Sequence, residues 1–76
     1  MMKEHSRVVL TTDVPAEGLK AGDVGTIVHL YLDEAAYEVE FLTLEGTTAA
    51  VVTLEANQVR PVHPREITHA RQLAGA

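Results

Sequence analysis

The stretch Gly22-Asp23-Val24-Gly25-Thr26-Ile27-Val28 is the most informative part of this sequence for the fold. Glycine adopts backbone angles that a side chain forbids, so two glycines three residues apart favour a sharp reversal that leads into a bulged strand start. A polar loop with Pro15 and Gly18 precedes the stretch, and short apolar segments follow it. We therefore predict a tight turn that opens a β-strand, with structural roles for both glycines and a turn-capping role for the Asp23 side chain.

Short segments rich in β-branched and apolar residues predict five strands. Their bounds are 7–12, 24–32, 37–42, 48–54 and 58–62. In the third segment, strict alternation places Tyr37, Val39 and Phe41 inward and leaves Glu38 and Glu40 facing water.

The connections between these segments complete the predicted fold. Leu19 is expected to anchor the long loop 13–21, and Gly46 is expected to take a positive φ in the turn before the fourth strand. Residues 55–57 resemble one tight helical turn. Five short strands, a long loop and a single 3-10 turn predict a mainly β fold, an SH3-like partly open barrel over residues 7–62, preceded by a flexible N-terminus at residues 1–6.

The tail, residues 63–76, allows two interpretations. Ile67, Ala70 and Leu73 recur at helical spacing, and Pro64 suits the first turn of a helix. We favour a short C-terminal helix. The alternative is a sixth strand, exchanged with a neighbouring chain.

Size and charge limit the classes of function. A chain of 76 residues without cysteine allows one domain and neither a disulfide nor a thiolate metal site. Residues 1–45 carry nine acids and three bases, within a net charge of −5 for the whole chain. A nucleic-acid binder normally carries a basic stripe, which this chain lacks. The N-terminus has no apolar stretch behind its charges, and no run is long enough to span a membrane, so we expect a cytoplasmic protein without a membrane partner.

The second and fourth predicted strands carry apolar residues on both faces, whereas a small barrel buries only one face per strand. Alternation puts Ile27, His29 and Tyr31 on one face of the second strand. We expect the tail, through Ile67 and Leu73, to cover part of the surplus, and a second copy or a protein partner to cover the rest. The predicted interaction surface consists of Val28, Leu30, Leu32, Ala49, Val51, Ile67 and Leu73.

Exposed aromatic residues suggest a second binding surface. SH3-like barrels often bind extended peptides with such side chains. His29, Tyr31 and Glu38 are the candidates for a peptide groove in this chain.

Catalytic and metal-binding patterns are weak. The single serine, Ser6, lies near the N-terminus, and there is no cysteine nucleophile. His63, Glu66 and His69 are spaced three apart, but proline directly after His63 places that histidine outside a helix, and zinc sites show tighter signatures. We expect no catalytic residues, no cofactor, no metal and no enzymatic activity.

Several motifs of the chain together resemble the domain of unknown function 4926 family of small bacterial proteins. The resemblance covers residues 7–62 and implies the barrel, but it implies no activity and no catalytic residues. The matching stretches are 13–15 with 18–19, 22–28, 36–41 with Gly46, 51–54 and 58–61.

These observations favour a non-enzymatic protein–protein interaction module that acts as a homodimer or with a protein partner. One alternative is a KOW-like nucleic-acid or ribosome-associated barrel, which the acidic balance disfavours. Another is an accessory subunit of a larger enzyme.

Overall fold

A computed structural model of the chain describes residues 2–31, 33 and 35–73, which form one antiparallel sheet of five strands. The strand order is β4-β3-β2-β1-β5, and the sheet does not close, so β4 and β5 are its edges. The prediction of a small, mainly β fold with five strands is confirmed, whereas its kinship with SH3-like barrels stays a prediction. The strands are β1 (Arg7–Leu10), β2 (Val24–Leu30), β3 (Ala36–Leu42), β4 (Thr48–Glu55) and β5 (Val59–Pro61), with 3-10 turns at Pro15–Glu17 and Ala56–Gln58.

The core lies on one face of this sheet. Alternation along β3 holds as predicted, since Tyr37, Val39 and Phe41 are buried and the two glutamates between them face outward. Leu19 is 3% exposed, which confirms its role as the anchor of the β1–β2 loop. The side chains with almost no exposed surface are Leu10, Ile27, Leu54, Val8 and Val39.

A β-bulge at Val28 changes which residues of β2 face the core. Ile27 pairs with Val39 of β3, and His29 pairs with the next residue, so Val28 is an extra residue between two paired ones. An extra residue reverses the alternation that follows it. Leu30 therefore packs against the core while His29 is exposed. The prediction that His29 shares the face of Ile27, with Leu30 opposite, is wrong for this reason.

A second irregularity lies at the start of β4. Phe41 pairs with Ala50 and Leu42 pairs with Thr48, which leaves Ala49 as the extra residue. Beyond this bulge β4 alternates regularly, and its inner residues are buried or packed against the core. These inner residues are Ala50, Val52 and Leu54.

The glycine-rich turn is the predicted tight reversal. The bulge predicted where it opens the strand is not found, because β2 pairs with β1 in regular register over residues 24–26. Gly22 has a φ of 98°, and the Asp23 carboxylate accepts a hydrogen bond from the backbone N–H of Lys20 at 2.8 Å. Gly46 also has a positive φ, of 93°. Gly25 serves a different purpose: a Cβ there would lie 2.6 Å from Cγ1 of Val39, so only glycine lets β2 pass this close to the buried side chain.

The described part of the tail, residues 63–73, is not helical. Within residues 62–73 the chain makes one turn and otherwise has no regular structure, so neither the predicted helix nor the alternative sixth strand is found there. A helix of about ten residues is marginal in water without a packed face. Here Ile67 is 94% exposed and covers no apolar surface, while Glu66 and Arg71 form ion pairs with Arg60 and Asp23.

Candidate interaction surfaces

The three residues predicted for a peptide groove meet on the outer face of the sheet. Glu38 of β3 pairs with His29 of β2 on one side and with Thr53 of β4 on the other. Its Oε1 accepts hydrogen bonds from the hydroxyl of Tyr31 at 3.2 Å and from that of Thr53 at 2.5 Å. The rings of His29 and Tyr31 are perpendicular, with centroids 4.9 Å apart. The arrangement is a small aromatic and acidic patch.

The edge strand β4 is the longest strand of the sheet. It has one neighbour, β3, in the part of the chain that the structure describes. Its residues 48–54 include no charged residue and no proline, and Val51 is 49% exposed. Edge strands of soluble proteins are usually protected by lysine, proline, short length or a bulge. In β4 the bulge at Ala49 is the only such feature, and the strand is regular from Ala50 to Glu55.

A groove of about 600 Å³ lies between the β1–β2 loop, the β3–β4 hairpin and the tail. Leu73 is half-buried along it, so of the two tail residues expected to cover apolar surface only Leu73 lies in a groove of this kind. Ala49, the bulge residue, lines the same groove. Its other apolar lining residues are Leu19, Val24, Phe41, Leu42, Leu44 and Ala70.

The seven residues predicted as one interaction surface occupy separate places. The two from β2 are the bulge residue Val28 and the core-packed Leu30. Val51 lies on β4, and Ile67 lies exposed in the tail, away from the groove-lining pair Ala49 and Leu73. The seventh, Leu32, falls outside the described residues.

An ion pair between the tail and the β1–β2 loop escaped the sequence analysis. Arg71 donates from Nε to Oδ1 of Asp23 at 2.9 Å and from a terminal nitrogen to Oδ2 at 2.5 Å. The same terminal nitrogen donates to the carbonyl of Gly18 at 2.9 Å. Burial raises the pKa of Asp23, but hydrogen bonds from Arg71 and the Lys20 backbone outweigh it and hold this pKa below 3.8. No local pattern marks two residues 48 positions apart as partners.

A second ion pair holds the beginning of the tail to β5. The Arg60 guanidinium donates to both oxygens of Glu66, at 2.9 and 2.6 Å, and the backbone N–H of His63 donates to one of them at 2.7 Å. The hydrogen bonds from Arg60, followed by that from His63, lower the pKa of Glu66 from 4.5 to about 2. The tail therefore leaves β5 in a defined direction.

The described residues hold no group of three or more His, Asp or Glu side chains that is arranged to bind a metal ion. His63 and Glu66 come within 3.9 Å of each other, but His69 is not part of that contact. None of the helices in the described ranges is long and apolar enough to cross a membrane.

The comparison with protein families matched the chain to the family described as Domain of unknown function (DUF4926), over residues 4–61. The chain belongs to this family. The DUF4926 region contains all five strands and Arg60, whereas Glu66, Arg71 and the rest of the tail lie beyond it. The comparisons with curated proteins and with solved structures gave no match. The family description assigns no activity, so function must be argued from the surfaces above.

Proposed function

We propose that this protein is a non-enzymatic protein–protein interaction module that acts as a homodimer through the free edge of β4. The observation that carries the proposal is the length and composition of this edge. Residues Ala50–Glu55 form a regular and mostly apolar strand whose outer side has no neighbour among the described residues. A strand edge of this kind is a template for pairing with another strand.

The absence of charge along β4 permits a second copy as the pairing partner. The chain has a net charge of −5, so most pairs of its surfaces repel each other, but β4 has no charge before Glu55. An antiparallel pair of β4 strands centred on Val52 places Val51 beside Thr53 of the second copy. It also places Glu55 opposite Ala49 of the second copy, which keeps the two glutamates apart. In this pairing, therefore, no two residues of like charge lie opposite each other.

The small size of the domain also favours association. A domain of this length buries only about 60% of the surface of its unfolded chain. Pairing of the β4 edges extends the sheet, satisfies backbone groups that water otherwise solvates and removes part of the exposed surface of Val51.

Size-exclusion chromatography with multi-angle light scattering tests the proposal on the wild-type chain and on Val51→Lys. We expect the wild type to have twice the monomer mass of 8.2 kDa at micromolar concentrations. Lysine on the edge should give the monomer, because lysine is one of the residues that protect strand edges against pairing with another chain. Ile67→Lys makes the same change at an exposed tail residue and should remain a dimer. A monomeric wild type, or a dimer that Val51→Lys leaves intact, would refute the proposal.

A further inference from the structure

We propose that Asp23 and the carbonyl of Gly18 form a receptor for an arginine of an extended segment of a partner protein, and that the chain's own tail occupies this receptor through Arg71. The inference goes beyond the pairing of β4 edges and uses different residues. The partner segment is expected to carry arginine followed two residues later by an aliphatic side chain.

The geometry of the occupied site selects arginine. Two parallel hydrogen bonds reach the two oxygens of Asp23, and a third reaches the Gly18 carbonyl. Such a fork requires the planar, multiply donating guanidinium group, which lysine does not have. The side chains are 25% exposed for Arg71 and 18% for Asp23, so the pair is partly shielded from water.

The receptor is held in shape by contacts that do not involve the tail. Asp23 accepts from the backbone of Lys20 through its carboxylate and donates to the carbonyl of Lys20 through its own N–H at 3.0 Å. Asp13 accepts from the backbone N–H of Ala21 at 2.9 Å and braces the other side of the loop. The carboxylate is therefore expected to keep its position when Arg71 leaves.

The groove next to this site supplies the second element of recognition. In an extended chain, residues two apart point to the same side, and Leu73 follows Arg71 by two. Leu73 is half-buried and lines the same groove as Leu19 and Phe41. A segment with arginine and leucine at this spacing can place the arginine at Asp23 and the leucine in the groove at the same time.

Charge and exposure make the tail a replaceable occupant. The β1–β2 loop carries Asp13, Glu17 and Asp23 against Lys20, which favours a cationic ligand. Residues 67–70, between the Arg60–Glu66 contact and Arg71, are all exposed, so Arg71 can leave its site while the beginning of the tail stays in place. A tethered segment has an effective concentration in the millimolar range, so the tail competes with any partner for the site.

Fluorescence anisotropy with a labelled peptide of residues 62–73 tests this inference on the full-length chain in the Val51→Lys background. Arg71→Ala removes the competing side chain, so it should bind the peptide at least about tenfold more tightly than the chain with Arg71 intact. Adding Asp23→Asn should reverse this gain. Adding Glu17→Gln instead removes the same charge from the same loop and should change the affinity less than about twofold.

A peptide in which lysine replaces the arginine equivalent to Arg71 keeps the charge and requires no change in the protein. It should bind the Arg71→Ala chain about tenfold more weakly than the parent peptide. The inference fails if the two peptides bind equally, if Arg71→Ala gives no gain, or if Asp23→Asn has no effect while circular dichroism shows a folded chain. It also fails if Arg71→Ala makes the wild-type background monomeric, because the site would then hold the tail of a second copy.

Discussion

Replacing Gly25 with alanine tests the close approach between β2 and β3. The new Cβ would lie 2.6 Å from Cγ1 of Val39, 2.9 Å from Cε2 of Phe41 and 3.0 Å from the carbonyl oxygen of Glu40. Both neighbouring side chains are buried, at 0% and 3% exposure, so neither has open space to move into. The backbone of Gly25 itself allows alanine, since its φ is not in the left-handed region. The expected destabilisation is therefore steric.

The magnitude follows from two opposing effects. Overpacking a core by one carbon costs about 1 to 3 kcal/mol, and three contacts at or below 3.0 Å place Gly25→Ala at the upper end. Alanine also lowers the conformational entropy of the unfolded chain, which stabilises the folded state by up to about 1 kcal/mol. The net loss is about 2 kcal/mol, which lowers the melting temperature of a domain of this size by about 8 to 16 °C.

Thermal unfolding followed by circular dichroism measures this loss, and a second variant identifies its cause. Val39→Ala removes Cγ1, which is the atom nearest to the new methyl group. Gly25→Ala should therefore destabilise the Val39→Ala chain by at least about 1 kcal/mol less than it destabilises the wild type. An unchanged or higher melting temperature for Gly25→Ala, or equal losses in the two backgrounds, would show that the strands do not approach this closely.

Two further predictions concern the bulge and the tail. Deleting Val28 leaves every paired residue of β2 and β3 opposite its partner, so the chain should still melt cooperatively, within about 8 °C of the wild type. Deleting Val51, which lies in the regular part of β4, turns Leu54 away from the core and should abolish the cooperative unfolding transition. The pKa of Glu66 is about 2 in the folded chain, below its usual 4.5, so the unfolded state takes up the proton first as the pH falls. Stability should therefore decrease between about pH 5 and pH 2. Glu66→Gln should reduce the change of unfolding free energy with pH, measured by urea denaturation at low salt. If this free energy changes with pH as steeply as in the wild type, the contact with Arg60 does not stabilise the folded chain.

The success of sequence reasoning depended on how regular each strand is. In β3 the alternation runs unbroken, and the burial of Tyr37, Val39 and Phe41 was predicted residue by residue. In β2 the same rule failed after Val28, because a bulge depends on the register with a neighbouring strand. Its position carries no glycine or other local signal.

The same bulge explains why the aromatic patch exists. Under strict alternation His29 and Tyr31 would share the inward face of Ile27, away from Glu38. The extra residue moves both rings to the outer face, where Tyr31 donates to the carboxylate of Glu38. The residues of this patch were chosen correctly from the sequence, but the feature that brings them together was not predicted.

The tail shows a different limit of local patterns. The apolar spacing of Ile67, Ala70 and Leu73 fits a helix, but nothing packs on Ile67, and the chain instead follows the contacts of its charged residues. Those contacts join residues far apart in the sequence, which periodicity does not detect. The Arg71 site was missed for this reason.

The acidic residues are concentrated in the first part of the chain, and one of them forms an ion pair with a basic residue of the last part. Residues 1–45 carry nine of the eleven acids, whereas residues 46–76 carry three bases and only two acids. Asp23 and Arg71 join these two parts of the chain. Partly exposed ion pairs are individually weak and are weakened further by salt. Release of Arg71 from Asp23 should thus become easier as the salt concentration rises. Pairing of two chains through the uncharged β4 edge should not weaken, so ionic strength distinguishes binding at the Asp23 site from pairing at β4.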